Sequence, residues 1–323
     1  MDSSLIFQIP PPLDPEWLAH EKASNLLIPK PTITEASERQ KAYSNACKAL
    51  NTCLLTGRDQ FLKAGLRIQD SLITSPNENH SIPIRSYTPS NPQSTCKNTV
   101  IYYHGGGLFV GDLDSEDLSC RRISKALHCT VYSVDYRLMP QHTADDALTD
   151  ALVAFKHISH LRNEGKLVLV GSSSGGQLAA QVSQLARSGS KIHGVLLRGP
   201  VTCNAANLPA HFRNSHVSMS AAFYTSLLSS AALTAGNRTK AKLPLEEEDL
   251  DGLPRHWMQV CTNDIYYSDG LCYAEALRGA GVETRLHVLI GWPHTFWLKA
   301  PLLERAVEAE KSMLEGVRWL LEM

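Results

Sequence analysis

Apolar residues change their period twice along this chain, and each change marks a different layer of structure. The first stretch is helical. Asp14-Pro15-Glu16 reads as an N-cap followed by an N1 proline after the stiff Pro10-Pro11-Pro12, so a short helix should follow. Thr34-Glu35 opens a second helix, with Ala42, Ala46, Leu50, Cys53 and Leu54 at helical spacing and Gly57 as its stop. From Leu66 the period becomes two: Leu66, Ile68 and Asp70 alternate with Arg67 and Gln69, and Ile82 to Tyr87 repeats the habit. That alternation predicts a pair of antiparallel edge strands.

Beyond Thr99, short apolar runs alternate with longer amphipathic ones. Strands are expected at Thr99–Tyr103, Thr130–Val134, Lys166–Val170, Ile192–Leu197, His256–Cys261 and Glu283–Leu289. Helices are expected at about 114–128, 143–162, 174–187, 269–280 and 302–321, the last with Leu303, Val307, Leu314, Val317 and Leu321 on one face. Such a sequence of elements predicts an α/β fold with a mostly parallel central sheet flanked by helices. Residues about 203–254 interrupt the alternation with Asn, Ser, Ala and the acidic run Glu246-Glu247-Glu248-Asp249. The chain therefore divides into an N-terminal helical arm over 1–60 and a domain over 61–323 that carries an insertion at about 203–254. Arm and insertion both read as parts of a cap.

Composition narrows the partners. Hydrophobic residues at 43%, charged residues at 20% and a formal net charge of -1 describe a water-soluble globular protein with no electrostatic call for nucleic acid or an anionic membrane. No run approaches the ~20 apolar residues of a membrane span. A small molecule is the expected partner, and either a monomer or a homodimer is compatible with the chain. The eight cysteines form no C-x-x-C, Met1-Asp2-Ser3-Ser4 lacks a basic segment before an apolar core, and Leu321-Glu322-Met323 matches neither the peroxisomal nor the ER-retention tripeptide type. A cytoplasmic protein with free thiols is expected. Asn79-His80-Ser81 and Asn237-Arg238-Thr239 match the glycosylation pattern but have no chemistry to serve in that compartment.

The candidate chemistry centres on Gly171-Ser172-Ser173-Ser174-Gly175, a G-x-S-x-G that follows a strand and opens a helix. The turn pushes Ser173 out at its tip. A serine hydroxyl needs an adjacent base, itself oriented by a third group. On an elbow of this kind the acid and the histidine follow the serine in that order, on loops after the last two strands. Asp264 and His294 stand there, with room for one helix and one strand between them. Asp269 competes with Asp264, but Asp264 lies closer to the strand end where site loops sit. The N–H of Ser174, at the start of the helix after the elbow, is an expected donor to a developing oxyanion. His104-Gly105-Gly106-Gly107 follows an early strand, where glycines can turn further amides toward that charge. No cofactor or metal is expected: a G-x-G-x-x-G from Gly105 fails at Val110, and there is no P-loop, no H-E-x-x-H and no paired-cysteine spacing.

Together, the HGGG at 104–107, the Asp135-Tyr136-Arg137-Leu138-Met139-Pro140 stretch, the elbow, and the Asp264 and His294 loops resemble the hormone-sensitive-lipase-like α/β-hydrolases over roughly residues 98–300. The resemblance implies an α/β-hydrolase fold with a helical cap. It implies Ser173 as nucleophile, His294 as base, Asp264 as its orienter, the amides of Gly106, Gly107 and Ser174 as oxyanion hole, and His104 as a brace for the glycine loop. Two positions depart from the family pattern: Ser172 stands where an acidic residue is usual, and Gln141 where glutamate is usual.

The expected activity is cofactor-independent cleavage of a carboxylic ester of a small or medium-sized substrate through an acyl-enzyme on Ser173. The same site can serve a thioesterase, an acyltransferase, or a cyclase or lyase of secondary metabolism. A ligand receptor is the reading from another class; related plant hormone receptors have lost the histidine, and His294 argues against it. Leu26, Leu27, Leu227 and Leu228 are candidates for an apolar acyl pocket or for plain packing.

Overall fold

The computed structural model describes residues 2–7, 9–28, 33–75, 80–90, 97–162, 164–189, 192–204, 207–212 and 241–322. Both glycosylation-type asparagines, Asn79 and Asn237, lie outside them, as do Leu227, Leu228 and positions 213–240 of the expected insertion.

Eight strands form one sheet: β1 (Leu66–Thr74), β2 (Ser81–Pro89), β3 (Thr99–Tyr103), β4 (Thr130–Val134), β5 (Leu167–Ser172), β6 (Ile192–Arg198), β7 (Arg255–Asn263) and β8 (Thr284–Pro293). Their spatial order is β1-β2-β4-β3-β5-β6-β7-β8. From β4 to β8 every neighbour pair is parallel; β1–β2 and β2–β4 are antiparallel. The expected pairing of the first two strands holds, but only β1 is an edge. β2 also pairs with β4, its Ile84 opposite Val134, which is why Ile82, Ile84 and Tyr87 are buried.

Eight helices accompany the strands among the described residues: α1 (Pro15–Ala23), α2 (Ala36–Thr56), α3 (Asp117–Leu127), α4 (Ala144–Leu161), α5 (Ser174–Leu185), α6 (Tyr267–Gly279), α7 (Phe296–Lys299) and α8 (Glu304–Leu321). Alternate strand residues face opposite layers. Val100 and Tyr102 of β3 pack with Cys120 and Ile123 of α3 and Met313 and Val317 of α8. Ile101 and Tyr103 pack on the other side, with Ala151 of α4 and Leu178 of α5. Because β3, β5, β7 and β8 all run the same way, the loops that leave their C-terminal ends meet above one rim of the sheet.

The arm does not pack as its apolar spacing predicts. In α2, Ala42, Ala46, Leu50 and Cys53 are exposed, and the face turned inward carries Gln40, Tyr43, Cys47, Asn51 and Leu54. The physical reason is what lies beneath: a loop with open carbonyls instead of an apolar sheet face. Gln40 donates to the Phe109 carbonyl at 3.0 Å and Asn51 to that of Asp114 at 2.7 Å. In α1 the sequence-level start is found, with Asp14 accepting from Glu16 N–H at 2.8 Å and Pro15 in the first turn.

One buried group makes stability depend on pH. His256 of β7 is wholly buried with its Nδ1 2.7 Å from the Pro254 carbonyl, and burial pushes its pKa down to about 4. An unfolded histidine titrates near ~6.5, so between those values the unfolded chain binds the extra proton and stability falls as pH falls. His256→Asn keeps a donor for Pro254. Its urea midpoint should therefore change less between pH 7 and pH 4.5 than that of the wild type, and an equal or larger drop would remove His256 from the explanation.

Candidate active site

The elbow is set by how closely three backbones approach. A Cβ on Gly171 would lie 2.1 Å from the Gly175 carbonyl oxygen, and one on Gly175 would lie 2.0 Å from that of Tyr103 and 2.4 Å from that of His104. Only glycine fits at either position. The turn between them holds Ser173 at φ 53° and ψ -121°, a left-handed conformation that costs about 1–3 kcal/mol for a residue with a side chain. Ser173 N–H donates to the Arg198 carbonyl at 2.8 Å, which fixes the turn against β6.

His294 lies in the loop after β8, with Nε2 2.9 Å from Ser173 Oγ and Nδ1 2.5 Å from Asp264 Oδ2. With Nδ1 facing a carboxylate, its proton sits there, and Nε2 is left to accept from the serine hydroxyl. The other oxygen of Asp264 accepts from Tyr266 N–H at 2.9 Å, so the carboxylate is held at both ends. Tyr266 also sets its ring edge-on to His294, 5.3 Å between centroids. Asp269, the competing acid, is buried away from this chain of bonds and accepts from the Thr202 and Cys203 amides.

The glycine loop leaves β3 and passes beside the serine. Gly106 and Gly107 have φ of 133° and 65° and line the same cavity as Ser173 and His294. Among the described residues none accepts from the N–H of Gly106, Gly107 or Ser174. The Ser174 side chain is turned back, its Oγ accepting from Leu108 N–H at 3.3 Å. His104 lies behind the loop and outside the cavity lining. It is stacked on Tyr136 at 4.3 Å, its Nδ1 is 2.8 Å from the Gly105 carbonyl, and burial lowers its pKa, which leaves the imidazole neutral. Tyr136 OH donates to the His104 carbonyl at 2.6 Å, and Arg137 is tied to the buried Asp150 of α4 at 2.8 Å. The 135–140 stretch thus supports the glycine loop from below.

Both departures from the family pattern have visible partners. Gln141 pairs amide to amide with Gln40 of α2, at 3.1 and 3.2 Å, and Gln40 also reaches the carbonyls of Phe109 and Met139. The arm helix is thereby fastened to the end of the glycine loop by neutral groups. Ser172 Oγ donates to the buried Glu116 at 2.9 Å. Gln40, Tyr266 and Glu116 carry no local motif in the sequence; Gln40 and Glu116 gain their roles through partners distant in the chain, and Tyr266 through its ring contact with His294.

The cavity over Ser173 is roofed by the arm. Leu13, Trp17 and Leu26 line it from around α1, and Arg39 and Tyr43 line it from α2. Leu27, expected beside Leu26, is 76% exposed and takes no part in the lining. Asn263 Nδ2 donates to the Pro11 carbonyl at 2.7 Å and Asp14 N–H to that of Gly291 at 2.9 Å, so the arm is stitched to the ends of both strands that lead to Asp264 and His294. No group of three or more His, Cys, Asp or Glu among the described residues could hold a metal ion. No helix there is long and apolar enough to cross a membrane.

Comparison with known proteins places this geometry. A family model described as alpha/beta hydrolase fold matches residues 100–298. Esterase LipI of Mycobacterium tuberculosis is 32% identical over 269 residues, covering 79% of this chain and 83% of that protein. Carboxylesterase NlhH of the same organism is 30% identical over 217 residues, covering 64% and 68%. The crystal structure of vibralactone cyclase superposes with a TM-score of 0.83 at 24% identity, covering 96% of this chain and 95% of that one, a likeness of fold.

The close approach at the elbow yields a direct test. Gly175→Ala should lower stability by about 3 kcal/mol or more, because backbone cannot move aside as a side-chain tip can. The urea midpoint reads this, and a wild-type midpoint would contradict the packing described.

Proposed function

The chain belongs to the alpha/beta hydrolase fold family and is a carboxylic ester hydrolase, and from that premise we propose that it works through an acyl-enzyme on Ser173. The observation that carries this reading is the continuous chain of hydrogen bonds from Asp264 through His294 to Ser173.

Ser173 Oγ attacks the ester carbonyl carbon while His294 Nε2 takes the hydroxyl proton. Asp264 holds the resulting imidazolium in place. The tetrahedral oxyanion is received by the N–H groups of Gly106, Gly107 and Ser174, which need no reorganisation to meet it. The carbon–oxygen bond to the leaving group breaks as His294 returns its proton to the departing alcohol. A water, deprotonated by His294, then attacks the acyl carbonyl, and the acid leaves as Ser173 regains its proton.

The cavity supports a small or medium-sized substrate with an apolar portion, since Leu13, Trp17, Leu26, Phe109, Ile265 and Leu298 all line it. The arm, whose Leu13, Trp17, Leu26, Arg39 and Tyr43 line the cavity, serves in this reading as a cap over the bound ester.

Steady-state hydrolysis of aryl esters of increasing acyl length tests the assignment. Ser173→Ala and His294→Ala should each lose about 10³-fold or more in kcat, and Asp264→Asn a comparable amount, because the three act as a unit. A Ser173→Ala enzyme within tenfold of wild type would refute it. Capture of the acyl group by an added alcohol or thiol in preference to water, lost in Ser173→Ala, would instead favour transfer to an acceptor other than water.

A further inference from the structure

The residue before the nucleophile is a serine, yet the space beside it holds a carboxylate. Glu116, the residue that precedes α3, is buried, and its side chain enters between the glycine loop and the elbow. Its Oε1 accepts from Gly105 N–H at 3.1 Å, and its Oε2 accepts from Ser172 Oγ at 2.9 Å and from Tyr102 OH. Gly105 is the residue before the proposed oxyanion donors, and Ser172 is the residue before the proposed nucleophile. The two segments are in contact: a Cβ on Gly105 would lie 3.1 Å from the Ser172 carbonyl oxygen and 3.4 Å from Ser173 Cβ.

We propose that Glu116 is a positioning residue for acyl transfer: a carboxylate that joins the glycine loop to the elbow and so sets the distance between the oxyanion donors and Ser173 Oγ. The inference rests on the acyl-enzyme reading above. Three donors on two oxygens is the arrangement a carboxylate satisfies and an amide does not, since an amide offers one acceptor oxygen and turns its own N–H groups against the remaining donors. Burial pushes the Glu116 carboxyl above its ordinary range, and the three donors pull against that push together with the buried Arg198 guanidinium, which lies in the same interior. A buried acid is costly to maintain, and such a group is expected where its geometry does something packing cannot. Ser172 donates to this acid where the family pattern would put an acid of its own, so the charge has moved across the contact from the elbow to the start of α3.

The test uses an aryl butyrate ester with wild type, Ser173→Ala, Glu116→Gln, Ser172→Ala and the double variant Glu116→Gln/Ser172→Asp, each corrected for the folded fraction. Glu116→Gln should lose about tenfold or more in kcat, with KM within about twofold, because misplaced oxyanion donors weaken the transition state and leave the ground state alone. The double variant returns a carboxylate to the same space from the elbow side, and it should recover most of the lost kcat. A folded Glu116→Gln enzyme with wild-type kcat, or a double variant no better than Glu116→Gln alone, would overturn the assignment and leave Glu116 as packing. If Glu116→Gln does not fold, Ser172→Ala carries the test: a loss of about threefold in kcat at unchanged KM is expected from releasing one of the three anchors, and full kcat would refute the brace. Wild type no faster than Ser173→Ala is a separate outcome, which removes the acyl-enzyme reading and this inference with it.

Discussion

The contact on which the rest of the molecule depends is the pressing of the β5–α5 turn against the end of β3. Gly175 meets the Tyr103 and His104 carbonyls at a distance no other residue tolerates. That contact places the start of α5 directly beside the glycine loop. It also holds Ser173 in a backbone conformation the residue would not choose, and the buried, parallel-paired β5 supplies the restraint. Strain of this kind persists only where the surroundings over-determine it. Here they do: β3 lies on one side, β6 on the other, and the Arg198 carbonyl receives the Ser173 amide.

Once the serine is fixed, the sheet determines what can reach it. Asp264 and His294 leave adjacent strands, β7 and β8, and the two side chains meet over the end of β6. Gly199, at φ 53°, leaves room for them there, since a Cβ would sit 3.2 Å from His294 Nδ1 and 3.3 Å from Asp264 Oδ2. The N-terminal arm is joined to this arrangement at its working end. Pro11 and Asp14 bond to the ends of β7 and β8, Trp17 packs edge-on to Trp292, and Gln40 holds the far side of the glycine loop. Movement of the arm would therefore be felt by Asp264, His294 and the glycine loop together.

What the sequence makes legible follows from the range of each interaction. The elbow, the N-cap at Asp14 and the stop at Gly57 depend on a few consecutive residues, and they appear where local chemistry puts them. The sheet follows from alternation of period, although β2, whose alternation predicts an edge strand, lies inside, because pairing with β4 leaves no local mark. The inward face of α2 is illegible for a similar reason. Its apolar spacing points outward, while the face that packs does so through amides matched to carbonyls far along the chain. Glu116 is the extreme case: nothing in Asp114-Ser115-Glu116-Asp117 marks it, and it gains meaning only beside Tyr102, Gly105 and Ser172.

The central claim is that Ser173, and neither of the serines flanking it, is the nucleophile. A fluorophosphonate reacts covalently with an activated serine, and peptide mass mapping of the labelled protein locates the adduct. The account predicts one adduct on Ser173, retained in Ser172→Ala and absent from Ser173→Ala. An adduct on Ser172 or Ser174, or none on well-folded wild-type protein, would contradict it.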